Sequence, residues 1–278
     1  MSEVYYFRNE FLPKEDVRIS PEDRGYYFGD GIYEVIRVYK GRMFEAKAHF
    51  ERFKRTALAV RIPLPDMGEL EAALQELIRQ NAVEEGSVYV QMTRGTAPRA
   101  HNLNADTPPV VMAYCQKLSR PVDKMEKGIA AATVPDTRWQ HCDLKTLNLL
   151  GNVLLKQKAL DQGADDCILH RDGSVTECSS SNLFIVRDNR LVTHPADNLI
   201  LPGITRNVVI RLAAELELPV EERALTVDEL LGAQEVFLTS TVQEIVPIVT
   251  VDGKAIGGGT PGPVTQKLQQ AFERLILA

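Results

Sequence analysis

Gly31-Ile32-Tyr33-Glu34-Val35-Ile36-Arg37-Val38-Tyr39 is the run on which the reading of the fold turns. β-Branched and aromatic residues dominate it, as in a strand. With side chains alternating, Tyr33, Val35 and Arg37 share one face, and Ile32, Glu34 and Ile36 the other. A phenol and a guanidinium on one face suit a carboxylate ligand, and they suit exposure to solvent equally well. Gly41 turns the chain into 43–45, so residues 32–45 read as a hairpin. Before it, Val4–Phe7 reads as a strand. After it come two helices, one marked by Phe50, Phe53, Ala57 and Val60, the other by Leu70, Leu74 and Leu77 from a start near Asp66. Strands at 87–93 and 109–114 flank a loop that carries Arg94, Gly95, Pro98, Arg99 and His101.

The polar, proline-containing stretch 119–124 separates two differently built halves. Residues 1–118 are expected to form an N-terminal α/β domain, 119–124 a linker, and 125–278 a C-terminal domain. In the second half, 129–134 reads as a strand and 147–160 as a helix. Asp172-Gly173 and Asp188-Asn189 mark hairpin turns. A helix opens at Gly203-Ile204-Thr205, strands follow near 236–238 and 245–251, and a last helix spans about 264–277. Alternating strands and helices give a mixed α and β class.

The chain has 278 residues, 44% of them hydrophobic and 25% charged, which is enough for a sizeable core and excludes disorder and fibre. No 18-residue window is free of charge, so no membrane span is expected. The first residues lack a basic stretch followed by an apolar run, and so do not read as a secretory signal. Four dispersed cysteines form no CxxC pair, a usage that suits a reduced cytoplasm. Five histidines show no ligand spacing, so no metal site is expected. Gly-x-Ser-x-Gly is absent, which removes a serine nucleophile elbow. A net charge of −6 argues against nucleic acid, and taken alone against any anionic partner.

Several residues have the chemistry for a site. Lys145 lies among Leu144, Leu147, Leu149 and Leu150, read as the mouth of an apolar helix, where desolvation favours the neutral amine that forms Schiff bases. Gly203-Ile204-Thr205 offers a helix N-terminus to an anion, and Thr239-Ser240-Thr241 offers hydroxyls after a strand. Ordinary capping accounts for either stretch alone. Glu177 follows a hairpin and precedes a small polar run, a place from which a carboxylate can hold a ring nitrogen protonated or simply sit on a rim. Arg99 and His101 are a cationic pair on a proline-containing loop. Arg52, near the start of its helix, reads as a surface ion pair.

Five blocks in order carry a resemblance: 22–35, 93–101, 137–145, 176–182 and 201–206. They are similar to the fold-type IV pyridoxal-phosphate aminotransferases, above all the D-amino-acid-specific group, from about Val4 to Glu273. The resemblance implies a two-domain fold, with a smaller N-terminal α/β domain, a larger C-terminal pseudo-barrel domain, and the cofactor, pyridoxal 5'-phosphate, at the domain interface. It makes Lys145 the Schiff-base lysine and proton shuttle, and Glu177 the partner of the pyridine nitrogen. Arg52, Ile204, Thr205, Ser240 and Thr241 correspond to the phosphate cup, and Leu201 to a residue packed on the ring. Tyr33, Arg99 and His101 match a trap for the substrate carboxylate, with Val35, Arg37 and Ser180 also on the substrate side. A homodimer is implied, with Arg99 and His101 reaching the neighbouring site. The implied reaction is ping-pong exchange of an amino group between a D-amino acid such as D-alanine and a 2-oxo acid such as 2-oxoglutarate. Branched-chain L-aminotransferases share the lysine, glutamate and phosphate cup, and Arg37 resembles theirs. A non-catalytic cofactor-binding protein is the remaining alternative. The anionic cofactor and substrates revise the charge argument: a small cationic pocket can sit within an acidic surface.

Overall fold

The computed structural model describes residues 3–103 and 107–277. The chain divides into two compact units, Met1–Ser119 with Leu144–Asn148, and Arg120–Asp143 with Leu149–Ala278.

The first unit is built on a six-stranded sheet in which every pairing is antiparallel. Its order is Glu10–Pro13, Val4–Phe7, Val110–Lys117, Glu85–Thr93, Gly31–Tyr39, Arg42–Met43. Helices Ala46–Ala59 and Met67–Gln80 bury their apolar stripes against one face. There Ile32, Ile36, Val88, Val90 and Met92 meet Phe50, Phe53, Leu70, Leu74 and Leu77. Burying a side chain such as Leu74 contributes about 1.5–3 kcal/mol. Asp66 starts the second helix by accepting the Gly68 and Glu69 amides. The hairpin expected at 32–45 returns only as Arg42–Met43, because Glu45 takes a left-handed conformation (φ 53°) and the next helix begins at Ala46.

The second unit carries a ten-stranded mixed sheet that curls into a half-barrel. Ile129–Pro135 lies near its middle, parallel to both Glu244–Val251 and Asp166–Arg171. Both hairpin turns form where expected. Asp172 and Gly173 have φ of 49° and 81°, Asp188 and Asn189 of 50° and 56°, the paired positive values that a tight turn with the twist of a hairpin requires. Helices Leu150–Leu160, Ile204–Glu215 and Pro263–Leu277 belong to this unit. A short helix, Val122–Lys127, starts inside the stretch expected to be a linker.

One expectation moves in a way that matters for the site. The helix foreseen at 147–160 begins at Leu150, and residues 144–148 form a bent, non-helical segment with a single bridge at Thr146. They lie along the Gly31–Tyr39 strand: Tyr33 N donates to Lys145 O (3.1 Å), Leu147 N donates to Gly31 O (3.0 Å), and Ile32 pairs with Thr146. An apolar run this short does not by itself decide between helix and extended chain. Gly31 permits the close approach, since a Cβ there would stand 2.7 Å from Leu147 Cδ1.

Candidate active site

Lys145 therefore stands on a bent segment beside a strand rather than at a helix mouth. The half-buried lysine lies with Nζ 4.3 Å from the Tyr33 ring centroid. Tyr33 stacks on Tyr89 (5.6 Å) and Tyr89 on Tyr114 (5.0 Å), so the phenol projects from a row of rings that crosses three strands. Val35 is half-buried on the same face as Tyr33.

Glu34 points to the opposite face, between Ile32 and Ile36. A carboxylate that is 1% exposed among apolar side chains must be paired to stay there. Arg52 supplies the pairing as a fork, Nε to Oε1 (2.7 Å) and Nη2 to Oε2 (2.9 Å), and His49 Nδ1 lies 2.7 Å from Oε2. Burial alone would raise the Glu34 pKa. Arg52 and His49 outweigh it and hold the carboxyl far below the usual range. Burial lowers the pKa of His49. Arg52 is thus a buried residue with a fixed orientation, not the surface ion pair that its sequence context suggested.

Arg99 and His101 are exposed on their loop, and both touch the Phe28 ring, at 5.0 Å and 5.6 Å between centres. Arg37 is 1% exposed and turned into the protein. Its Nη2 donates to Leu118 O (2.9 Å) and Glu85 Oε1 (3.0 Å).

In the second unit, Glu177 is buried at the centre of a polar network. Its Oε1 accepts from Arg138 Nη1 (2.8 Å); its Oε2 accepts from Asn182 Nδ2 (2.9 Å) and Leu201 N (3.1 Å). Arg138 also grips Asp136 with Nε and Nη2, at 3.0 Å each, and Arg171 adds a further bond to Asp136. Burial pushes Glu177 up to about 7, against the pull of Arg138, and the neighbouring Asp136 adds to the rise. A carboxyl poised there gains most by meeting a cationic N–H.

Close by in sequence, the Ile204–Glu215 helix opens at Gly203 without a side-chain cap, which leaves its first amides for another acceptor. Gly203 sits tight, since a Cβ would fall 2.0 Å from Asn182 Oδ1. Ile204 and Thr205 are buried in the first turn, Leu201 is half-buried, and Ser180 is exposed. Ser240 Oγ accepts from Gln243 N (3.2 Å), and Thr241 begins the turn after that strand. Thr239 Oγ1 and Ser181 Oγ are buried with no hydrogen-bond partner. A helix N-terminus left uncapped and two unpaired buried hydroxyls fit a phosphorylated ligand, and Glu177 fits the nitrogen of a heteroaromatic ring. Among the described residues, no group of three or more His, Cys, Asp or Glu side chains has the geometry to hold a metal ion.

Sequence reasoning did not single out Glu34, His49, Arg138 or Asn182. For Glu34 there was a signal, an acid on the same face as Ile32 and Ile36. Arg138 and Asn182 act on Glu177 from 39 and 5 residues away; both lie in blocks that carry the resemblance, at 137–145 and 176–182, but no local pattern gives either one its partner.

The family model for class IV amino-transferases matches residues 31–251. A D-alanine aminotransferase of Staphylococcus haemolyticus is 44% identical over 273 residues, covering 98% of this chain and 97% of its own. The crystal structure of an Escherichia coli branched-chain amino acid aminotransferase superposes with a TM-score of 0.93 at 29% identity, covering 99% of this chain and 95% of its own. A branched-chain amino acid aminotransferase from Thermobaculum terrenum, solved in its PLP-bound holo form, gives 0.90 at 25% identity, covering 99% and 94%. The lysine, the buried glutamate and the uncapped helix therefore belong to a chain that is a member of the class IV amino-transferase family.

Proposed function

We propose that the protein is a pyridoxal-phosphate-dependent aminotransferase that moves the amino group of a D-amino acid, such as D-alanine, to a 2-oxo acid, such as 2-oxoglutarate. The observation that carries this reading is the 44% identity to D-alanine aminotransferase across nearly the whole chain, against 29% to the branched-chain enzyme. When bound, pyridoxal 5'-phosphate supplies the electron sink and the temporary carrier of nitrogen.

The chain's own groups then have distinct tasks. Lys145 Nζ would hold the cofactor and would serve as the base that takes and returns the proton at the substrate's Cα. Glu177 holds a proton at the ring nitrogen by a charge-assisted hydrogen bond. The amides of Ile204 and Thr205, the hydroxyls of Ser240 and Thr241, and Arg52 bind phosphate, with Leu201 against the ring. Tyr33, Arg99 and His101 bind the α-carboxylate, and Val35 and Ser180 border the substrate side chain; Arg37, expected beside them, is turned into the protein and acts on the substrate side only through its neighbours.

A homodimer completes the reading, with Arg99 and His101 serving the neighbouring protomer. Exposed Leu150, Val153 and Leu154 on one helix support it, at 71%, 60% and 56% exposure, since such a stripe favours a covering partner. Free thiols at Cys115, Cys142, Cys167 and Cys178 support a cytoplasmic setting. No helix among the described residues is long and apolar enough to cross a membrane.

Purified protein with D-alanine and 2-oxoglutarate should yield pyruvate, and Lys145→Ala should lower kcat by about 10⁴-fold or more. Arg37 is the observation that favours a branched-chain activity. Turnover of L-leucine without turnover of D-alanine would establish that second reading and overturn the first.

A further inference from the structure

Phe28 ends a five-residue helix, Arg24–Phe28, whose start is fixed by Asp23 accepting the Gly25 amide. Arg24 and Phe28 are one turn apart, and the Arg24 guanidinium carbon lies 4.9 Å from the Phe28 ring centroid. The same ring receives Arg99 at 5.0 Å and the His101 edge at 5.6 Å. Arg24 Nη1 donates to the carbonyl of Ala100, the residue between Arg99 and His101, at 2.7 Å. Arg24 is itself immobilised: it is 4% exposed, and its Nε donates to Asp30 Oδ2 at 2.7 Å. Asp30 also takes a two-pronged grip from Arg94, at 2.8 Å and 2.9 Å. Arg94 is tied in turn to the Arg61 and Val60 carbonyls, at 2.6 Å and 2.7 Å. A chain of buried charge-assisted bonds thus runs from the end of the Ala46–Ala59 helix to an exposed loop.

We propose that Phe28 and Arg24 are positioning residues that set the direction in which Arg99 and His101 present their charges to a substrate α-carboxylate. The proposal rests on the reading of Arg99 and His101 as carboxylate ligands. The loop would otherwise be loose: Pro98 through Leu103 are exposed and form no helix or strand. The ring supplies a negative face for the Arg99 guanidinium and an apolar seat for His101, and the Arg24 bond fixes the backbone between them. A ligand pair held this way meets a carboxylate already in place, so less freedom is lost when the substrate binds.

The test is steady-state kinetics of holoenzyme variants, with cofactor affinity and thermal stability measured alongside. Phe28→Leu and, independently, Arg24→Lys should each raise KM for D-alanine and for 2-oxoglutarate by about fivefold, with kcat and cofactor affinity near wild type. Phe28→Tyr, which keeps the ring, should restore KM. In an Arg99→Ala background, Phe28→Leu should add a smaller factor than it does in wild type, because one of the two groups it positions is gone. Wild-type KM in both single variants would overturn the proposal while leaving the carboxylate reading intact, provided Arg99→Ala raises KM. An undiminished Phe28→Leu effect in the Arg99→Ala background, or an equal loss of kcat and cofactor affinity, would also overturn it. If Arg99→Ala and His101→Ala leave KM unchanged, the carboxylate reading itself fails and the proposal with it. Should Phe28→Leu fail to fold, Arg24→Lys carries the test.

Discussion

Glu34 and Glu177 are both buried carboxylates, each bonded to an arginine, yet their protons behave in opposite ways. Glu34 is held far below the usual range, whereas Glu177 is pushed up to about 7. The difference lies in how fully each arginine is committed. Arg52 gives Glu34 both arms of a fork, and His49 adds a third contact. Arg138 gives Glu177 one N–H and spends Nε and Nη2 on Asp136, whose negative charge also opposes ionisation of Glu177. Burial penalises both carboxylates, and only Glu34 has both arms of a guanidinium to outweigh it; two of the three donors to Glu177 are neutral. Glu34 is an ionic anchor that fixes Arg52, and Glu177 is a group left poised for one more cationic partner.

The largest test of that contrast removes charge at each position. Glu34→Gln leaves Arg52 with a neutral partner in an apolar layer and should cost about 3–5 kcal/mol of stability in denaturant unfolding. Glu177→Gln turns an amide NH2 toward groups that now donate to Glu177, so the apo protein should lose about 1–3 kcal/mol, less than Glu34→Gln. Its larger cost should fall on activity, with kcat lower by about 10²–10³-fold, because the ring nitrogen loses its anionic partner. Equal stability losses in the two variants would erase the distinction between anchor and poised group.

Stability against pH gives the next largest effect. The folded-state pKa of Glu177 is above its ordinary value of 4.5, so the folded protein retains a proton that the unfolded chain releases between 4.5 and about 7. Stability from this group is full below 4.5 and is lost as pH rises through about 7, by about 3 kcal/mol. Glu34 has the opposite sign: its contribution is present above its ordinary pKa and is lost only on strong acidification. His49, with a lowered pKa, makes the folded state less stable as pH falls below 6.5 and partly masks the Glu177 slope. Unfolding of cofactor-free wild type and Glu177→Gln at pH 5 and pH 8 removes that overlap, since His49 is common to both. A wild-type-minus-variant difference that does not change with pH would mean that Glu177 is ionised throughout.

The contrast was half legible in the sequence. Period-two alternation put Glu34 on the face with Ile32 and Ile36, and helical spacing put Phe50, Phe53 and Ala57 toward the same layer, so the core of the first unit could be read directly. Paired Asp-Gly and Asp-Asn residues gave the hairpins of the second unit, because few residues accept a positive φ. Local pattern failed where the partner was distant. Leu147, Leu149 and Leu150 fit a helix pattern, yet the helix starts only at Leu150, and Thr146 and Leu147 instead pair with the strand at Ile32 and Gly31, more than a hundred residues earlier. Lys145, Glu177 and the Gly203 helix start carry local cues that chemistry can use. The Arg138 and Asn182 bonds that tune Glu177 exist only in the folded chain.

The smallest expected effect separates the two carboxylates by their secondary donors alone. Asn182 Nδ2 donates to Glu177 Oε2 at 2.9 Å and to Leu201 O at 2.7 Å, so it supports the ionised form of Glu177. Asn182→Ala should remove about 1 kcal/mol of that support and raise the Glu177 midpoint by up to about one pH unit, read from carboxyl carbon shifts in an NMR titration of apo protein. The corresponding change beside Glu34, His49→Gln, should leave that carboxyl fully ionised across pH 5–8, because both arms of Arg52 stay in place. An unmoved Glu177 midpoint in Asn182→Ala would show that burial and the divided loyalty of Arg138 set its proton affinity without help. A Glu34 signal that titrates in His49→Gln would show that the fork is not sufficient, and that the anchor depends on all three contacts.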